Sequence, residues 1–176
     1  MNNENISVLS DSQLSDFFMD QLNEIFHSEN KMFAAWPQLM EAADATDLKQ
    51  LFQDYHNHIQ KDIVRLEGIF ALLNCSADGR TADAMDGLLS EAKKVIEKTK
   101  QGSHTRDAAI IVAVQKAGHY KIAAYGSLQQ IASTLGMEDI SNLLSQSLQE
   151  EKDNDLLLSD FADKRINWLA EIEPRV

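Results

Sequence analysis

The sequence predicts an all-α fold, an up-down four-helix bundle with an additional amphipathic helix in the connection between its two helical hairpins. Two prolines and seven glycines among 176 residues leave room for long uninterrupted helices. Apolar residues recur every three or four positions along four long stretches, which is the pattern of helices packed in a bundle. The segment richest in turn-forming residues, 74–83, is short and separates the first two stretches from the rest.

The first hairpin follows a short N-terminal segment. Residues 1–11 are predicted to form a flexible arm, and residues 12–172 a single domain. We expect Ser12 or Ser10 to cap the first helix and Thr46 to cap the second. The inward positions of the first helix are Phe18, Leu22, Ile25, Glu29, Met32, Trp36 and Leu39. Those of the second helix are Leu48, Leu51, Tyr55, His58, Asp62, Leu66, Ile69 and Leu73.

The connection and the second hairpin continue this periodicity. Residues 84–100 are predicted to form a shorter amphipathic helix that joins the hairpins. Thr105 should cap the third long helix and Gly136 should end it, with the fourth beginning near Glu138 or Asp139. The inward positions of the third helix are Ile111, Val114, Gly118, Lys121 or Ile122, Tyr125, Leu128, Ala132 and Leu135. Those of the fourth are Ile140, Leu144, Ser147 or Leu148, Glu151, Asp155, Leu158, Ala162, Ile166 and Leu169.

Net charge and cysteine content exclude several classes of function. The formal net charge is −12 and the sequence pI is near 4.7. A surface of this sign repels nucleic acid and anionic membranes, because phosphate binding needs a basic face. No apolar run approaches the ~20 residues that span a bilayer, and Cys75, the single cysteine, cannot form an internal disulfide. We therefore expect a cytoplasmic protein that binds neither nucleic acid nor membrane.

Polar residues interrupt the apolar lines at one level of the predicted bundle. Bundles that bind metal through carboxylates use one carboxylate from each of two helices and a carboxylate/His pair from each of the other two. Here the third helix has Gly118 where such a carboxylate would stand. Oxygen and imidazole ligands suit iron, manganese or zinc. The pattern predicts a site for a divalent metal ion, with the candidate ligands Glu29, His58, Asp62, Glu151 and Asp155.

A salt-bridge network is the structural alternative to this metal. Several carboxylates in a dry core are unfavourable unless a cation or protons neutralise them. The cation could be Lys121, whose side chain is long enough to reach the bundle centre from one turn beyond Gly118. In that case Lys121 would pair with Glu151 and Asp155, and no metal would be needed.

The remaining candidates also have purely structural interpretations. Glu29 could pair with a basic residue, and His58 and Asp62 could be hydrogen-bonded neighbours four residues apart on one helix. His119 is expected to pack beside the inward line or to face a partner subunit, with a ligand role as the alternative. Tyr120 and Tyr125 are expected to be core residues whose hydroxyls have a hydrogen-bond partner.

Several short segments in one order carry a family resemblance. They are 28–31 (SENK), 65–70 (RLEGIF), 84–92 (AMDGLLSEA), 106–111 (RDAAII), 115–126 (QKAGHYKIAAYG) and 148–155 (LQEEKDND). On these segments the chain resembles the YciF-like family, ferritin-like bacterial proteins associated with stress conditions. The resemblance spans roughly residues 14–162, and it implies a ferritin-like bundle and a homodimer.

The same resemblance implies an altered metal centre. The family usually has Glu-His-Tyr-Glu where this chain has 118–121 (GHYK), so Gly118 and Lys121 mark two lost acidic positions. Acidic residues of the second helix are replaced here by Asn57 and His58. The candidate ligands that match the family pattern are Glu29, Glu151 and Asp155. The resemblance therefore implies a degenerate di-metal centre.

Three functions are compatible with these features. The first is a non-enzymatic, ferritin-like stress or structural protein that is metal-free or holds at most one divalent cation. The second is a di-iron or di-manganese carboxylate oxidase or a peroxide-scavenging enzyme, although the loss of an acid at Gly118 removes a bridging ligand. The third is an interaction module that dimerises through outer helix faces. The first agrees best with the substitutions in the third helix.

Overall fold

The computed structural model describes residue 9 and residues 11–78 and 81–174, and in this part of the chain the regular structure is helical. The predicted all-α fold is therefore confirmed. The elements are α1 (Gln13–Ala42), α2 (Thr46–Leu72), α3 (Asp83–Lys98), α4 (His104–Thr134), α5 (Glu138–Phe161), a π-helical turn (Ala162–Ile166) and α6 (Asn167–Glu171). Most of the predicted N-terminal arm, residues 1–8 and 10, lies outside the described residues.

The start of α1 agrees with the sequence, whereas the start of α2 does not. Ser12 is the N-cap of α1, and its hydroxyl accepts a hydrogen bond from the backbone N–H of Ser15 at 3.2 Å. At α2 the N-cap is Ala45, one residue before the predicted Thr46. The preceding loop is held by α4 instead, because the buried Asp107 carboxylate accepts from the backbone N–H groups of Asp44 at 2.7 Å and Ala45 at 3.0 Å.

The N-terminus of α4 also differs from the prediction. Ser103 rather than Thr105 is the N-cap, with its hydroxyl accepting from the Arg106 N–H at 3.1 Å. Thr105 is instead hydrogen-bonded to the C-terminal segment. Glu173 accepts from the backbone N–H of His104 at 2.8 Å, and from the N–H and hydroxyl of Thr105 at 3.1 and 2.9 Å. This carboxylate therefore satisfies helix N-terminal donors that have no partner within the helix.

The last long helix does not stay α-helical along its predicted line. A π-helical turn, Ala162–Ile166, separates α5 from α6. A π-turn holds more residues than an α-turn, so it changes the direction in which the following side chains point. Ile166 remains buried, while Trp168 is exposed.

The core consists of two apolar clusters separated by a polar layer. One cluster includes Met32, Trp36, Phe52, Ile59, Ile110, Ala117 and Leu158. The other includes Phe18, Ile25, Leu66, Ile69, Tyr125, Leu128 and Leu144. On each of the long helices the residues between these clusters include one that is charged and fully buried. These are Glu29, Asp62, Lys121 and Glu151, which we call the lysine cluster.

In the described part of the chain, the longest helices carry too many polar residues to cross a membrane.

Candidate functional site

Lys121 lies at the centre of the lysine cluster. Its ammonium nitrogen Nζ is 2.7 Å from Glu151 Oε1 and 2.9 Å from Glu29 Oε2. Asp62 Oδ2 is further away, at 4.0 Å. All four side chains are 0% exposed, so these charges interact without solvent screening. One cation from α4 therefore faces carboxylates from α1, α2 and α5.

Two tyrosines donate hydrogen bonds to the glutamates of the cluster. The Tyr125 hydroxyl donates to Glu29 Oε1 at 2.6 Å, and the Tyr55 hydroxyl donates to Glu151 Oε2 at 2.6 Å. Each glutamate thus places one oxygen beside the Lys121 ammonium and accepts from a phenol with the other. The contact of Lys121 with Glu151 is a hydrogen bond, and its contact with Glu29 is an ion pair. The ring of Tyr55 also lies 5.4 Å from Lys121 Nζ, within the range of a cation–π interaction.

Asp62 is held by a different cation. Arg65 Nη1 donates to Asp62 Oδ1 and to Ser147 Oγ, the latter at 2.6 Å. Its Nη2 donates to both oxygens of Glu150 at 3.0 and 3.2 Å. Among the described residues, Asp62 Oδ2 has no hydrogen-bond partner and faces Lys121 alone. Arg65 therefore joins α2 to α5 at the edge of the polar layer.

The electrostatics of the layer favour one bound proton. Three carboxylates, those of Glu29, Asp62 and Glu151, face the two cations Lys121 and Arg65. Burial raises the pKa of Glu29 to about 8, although Lys121 opposes this shift. Burial also raises the pKa values of Asp62 and Glu151. Arg65 also pairs with Glu150, so its charge is shared and does not offset that of Asp62 alone. With its raised pKa, Glu29 holds a proton near pH 7.

Lys121 stays charged in this layer. Burial acts to lower its pKa, but the neighbouring carboxylates of Glu151, Glu29 and Asp62 outweigh that effect and raise it. The phenol pKa values of Tyr55 and Tyr125 rise as well, because burial and the adjacent carboxylates disfavour a phenolate. Both tyrosines therefore remain hydrogen-bond donors.

The other candidate ligands lie outside the layer. His58 is half-buried between α2 and α5, where its Nδ1 is 3.0 Å from Asn154 Oδ1. Asp155 accepts from Gln115 Nε2 at 3.1 Å and lies 3.3 Å from Nε2 of His119, which is 65% exposed. The alternative in which Lys121 pairs with both Glu151 and Asp155 therefore holds for Glu151 alone. His119 does not pack beside the inward line, and its expected contact with a partner subunit stays a prediction. His119 is exposed and Asp155 is 21% exposed, so both lie at the edge of the bundle and not in the buried layer.

Gly118 makes room for one of the tyrosine contacts. A Cβ atom at this position would lie 3.2 Å from the Tyr55 hydroxyl and 3.7 Å from Glu151 Oε2. A side chain here would press directly on the hydrogen bond between these two groups. The glycine therefore allows the phenol to occupy space beside Glu151.

The residues present do not fit a di-metal centre as they stand. The Lys121 ammonium contacts two of the three buried carboxylates, and an ammonium group has no lone pair to offer a metal. A divalent ion in the same place would be repelled by that charge. Within the described ranges, no group of three or more His, Cys, Asp or Glu side chains has a geometry that could hold a metal ion. The metal-ligand roles of Glu29, His58, Asp62, Glu151 and Asp155 stay a prediction.

Sequence reasoning overlooked several residues of the site. Arg65 stands three positions after Asp62, so its reach to this carboxylate could have been inferred from helix spacing. Tyr55 lies on the predicted inward line of α2, but its contact with Glu151 depends on the packing of two helices distant in sequence. Asn154 directly precedes Asp155 and gave no signal, because helix rotation alone decides which of the two faces α2.

A bundle of long helices with charged residues from each of them in one buried layer defines a ferritin-like helical bundle. The chain belongs to the family described as "Domain of unknown function (DUF892)", whose model matches residues 13–171.

Similar proteins have been named and solved. Protein YciF of Escherichia coli (strain K12) is 35% identical over 162 residues, which cover 90% of this chain and 95% of that protein. The crystal structure of the E. coli stress protein YciF has a TM-score of 0.84 at 33% identity, covering 89% of this chain and 98% of that chain. YcfI, a putative structural protein from Rhodopseudomonas palustris, has a TM-score of 0.81 at 31% identity. The match covers 90% of this chain and 98% of that chain.

Proposed function

We propose that this protein is a non-enzymatic, stress-associated member of its family, in which the lysine cluster replaces a working di-metal centre. The observation that carries the proposal is the fully buried ammonium of Lys121, 2.7 Å from Glu151 and 2.9 Å from Glu29. A relative is named a stress protein and another a putative structural protein, and both names agree with this role. The degenerate centre would be metal-free or hold at most one divalent cation.

The physical argument concerns what an ammonium group can and cannot do. It supplies the positive charge that keeps Glu29 and Glu151 together in a water-free layer, as a metal ion would. Unlike a metal, it cannot change oxidation state, bind oxygen or activate a water molecule. With two tyrosines fixed on the same carboxylates, the cluster would hold four helices in one register and perform no chemistry.

Metal analysis of purified protein tests this proposal. The full chain is produced in cells supplied with iron and manganese, and its metal content is measured by plasma mass spectrometry. We expect at most one divalent ion per chain. Two ions per chain would contradict the proposal.

A double variant provides the matched control. Gly118→Glu combined with Lys121→Glu replaces the glycine and the ammonium by the two acids that the family resemblance implies. We expect this variant to bind more metal than the natural chain under the same growth conditions, provided that circular dichroism shows it to be helical. Equal metal content in the natural chain and the folded variant would mean that Lys121 does not displace a metal.

The second candidate function is that of an iron- or manganese-dependent oxidase or a peroxide-scavenging enzyme. The observation that favours it is the convergence of Glu29, Asp62 and Glu151 from three helices on one buried point. It requires Lys121 to leave the centre, because the ammonium would otherwise repel the metal. Consumption of oxygen or hydrogen peroxide by the protein with added iron(II), faster than by iron(II) alone, would establish this alternative.

We further propose that the protein acts as a homodimer in the cytoplasm, as the family resemblance implies. The chain has a mass of 19.7 kDa, so a dimer is distinguished readily by light scattering coupled to gel filtration. Large apolar side chains exposed in the described residues, such as Val64, Val112, Trp168 and Ile172, provide surface for such an association. A monomeric mass at micromolar concentration would contradict this proposal.

A further inference from the structure

The C-terminal segment exposes its largest apolar side chains to water. Trp168 is 70% exposed and Ile172 is 73% exposed, the two highest values among the large apolar residues of the described chain. They stand four positions apart at the last helix, so they share one of its faces, and we call them the apolar pair. Tryptophan is on average a well-buried residue. Two adjacent side chains of this size in water therefore indicate a contact surface.

The apolar pair is held in place on both sides. Ile166, just before α6, is fully buried, and the backbone stays helical from there to Glu171. Beyond the pair, Glu173 accepts hydrogen bonds from the amides of His104 and Thr105 at 2.8 and 3.1 Å. α6 itself buries none of its residues, so these two attachments fix its position. A surface that is already fixed loses little conformational entropy when a partner binds.

Charges of both signs border the apolar pair. Glu171 lies three positions after Trp168, on the same face of the helix. Together with Lys98 and Lys100 it lines a surface depression of about 700 Å³. All three charged side chains are exposed, and none of them forms an ion pair with another described residue. Two positive charges and one negative charge therefore stand free beside the pair, as far as the described residues show.

These features fit a second copy of the same chain. In a two-fold dimer the same surface of each copy faces its equivalent, so the two apolar pairs would pack together. The lysines of one copy would then approach Glu171 of the other, and the charges left free within one chain would neutralise each other between two. A contact through an average part of the surface would instead bring acidic side chains together, because the chain has 28 acidic and 16 basic residues.

The C-terminal patch comprises the apolar pair and these charges, that is Trp168, Ile172, Lys98, Lys100 and Glu171. We propose that this patch is the interface between two copies of the chain. The inference rests on the homodimer proposed above and assigns the surface through which it forms. Burial of the apolar pair removes apolar area from water, which is the main favourable contribution to association. The net charge of −12 disfavours an anionic membrane as the alternative occupant.

Sedimentation equilibrium of the full chain and its variants at pH 7 tests this interface. We expect the natural chain to be a dimer. Trp168→Ser should raise the dissociation constant of the dimer by about thirtyfold, the loss typical of a central aromatic residue at an interface. Val64→Ser is the matched control, because Val64 is 61% exposed on α2 and does not line the depression. Its dissociation constant should stay within about twofold of the natural value.

An exchange of charges tests whether the partner is a second copy. One variant combines Lys98→Glu with Lys100→Glu, and the other is Glu171→Lys. Each should weaken its own dimer by about tenfold, because like charges then face each other across the interface. A mixture of the two variants should restore association, since every new charge then meets its complement on the other chain. All of these positions are exposed, so the variants keep the bundle, which circular dichroism verifies.

The outcomes separate this interface from the homodimer itself. A monomeric natural chain would contradict both proposals. A natural dimer that Trp168→Ser and Val64→Ser weaken to the same extent would leave the homodimer standing and overturn the interface. Association of the mixed charge variants no tighter than that of either variant alone would also overturn it. None of these measurements depends on the lysine cluster or on its metal content.

Discussion

Two pairs of residues four positions apart contrast the interior of the bundle with its surface. On α2, Asp62 is fully buried beside Lys121, whereas His58 is half-buried and contacts Asn154. On α5, Glu151 is fully buried beside the same lysine, whereas Asp155 contacts an exposed histidine. Four residues advance a helix by about 40° beyond a full turn, which is enough to carry a side chain from the centre to the edge. A shared line in sequence therefore does not mean a shared site.

This contrast explains why the inner and outer members have different electrostatics. Burial raises the pKa values of Asp62 and Glu151. The groups that oppose this shift are Lys121 for both carboxylates, Ser147 and Arg65 for Asp62, and Tyr55 for Glu151. The outer pairs interact in contact with water, where an ion pair contributes little to stability. Substitutions in the inner layer should therefore have large effects, and those outside it small ones.

The largest effect is expected for Lys121→Met. The substitution leaves Glu29 and Glu151 buried without their cation, which should lower the free energy of unfolding by about 3–5 kcal/mol. Urea denaturation followed by circular dichroism measures the change. Lys116→Met is the control, because Lys116 on the same helix forms an exposed pair with Glu91 and its loss should cost less than about 1 kcal/mol. Equal stability of the two variants would refute the stabilising role of the lysine cluster.

The second effect concerns pH. Burial raises the pKa of Glu29 from the ordinary 4.5 to about 8, so the folded protein holds this proton more tightly than the unfolded chain. The resulting stability is complete below pH 4.5 and is lost as the pH rises through about 8, with a slope of up to about 1.4 kcal/mol per pH unit. Denaturation between pH 5 and 8.5 should show this loss, and Glu29→Gln should flatten it. An equally steep curve for Glu29→Gln would assign the slope to other groups.

Two glycines on α4 test how tightly the layer is packed. Gly126→Ala places a Cβ 3.9 Å from Leu148, an ordinary contact, and should stabilise the helix by up to about 1 kcal/mol. Gly118→Ala places it 3.2 Å from the Tyr55 hydroxyl, which is fixed at 2.6 Å on Glu151. We expect Gly118→Ala to be less stable than Gly126→Ala by at least about 1 kcal/mol. Thermal unfolding of both variants measures this, and a stabilising Gly118→Ala would mean that Tyr55 is free to move.

The smallest effect is expected at the surface. His119→Ala removes the contact of 3.3 Å to Asp155, but the histidine is 65% exposed and Gln115 still donates to the carboxylate. The free energy of unfolding should change by less than about 0.5 kcal/mol. A loss comparable with that of Lys121→Met in the same urea assay would show that the outer pairs belong to the stabilising core.

The fold was predictable because the residues that a helix buries recur every three or four positions in the sequence. Glu29, Asp62 and Glu151 could be placed in the interior from their positions among apolar residues alone, and each is fully buried. Their common contact with Lys121 required the rotation of every helix about its axis, which a repeat of three and four does not define. Where two neighbours such as Asn154 and Asp155 compete for one face, only the packed structure decides.

The ends of the helices were less predictable than their middles. Sequence rules assume that a helix is capped by its own preceding residue. Here Asp107 of α4 holds the loop before α2, and Glu173 holds the first turn of α4. Such distant capping depends on tertiary structure. At α2 it stands in for a side-chain cap, which Ala45 does not have, and at α4 it adds to the local cap made by Ser103.

Through Glu173, the C-terminal segment is hydrogen-bonded to the first turn of α4, the helix that carries Lys121. Fraying of α4 from its first turn would begin with release of this carboxylate from the amides of His104 and Thr105. The amide protons there should exchange with deuterium slowly while the hydrogen bonds to Glu173 are formed, and quickly once they are broken. A segment some seventy residues downstream thereby determines how often this end of the bundle unfolds locally.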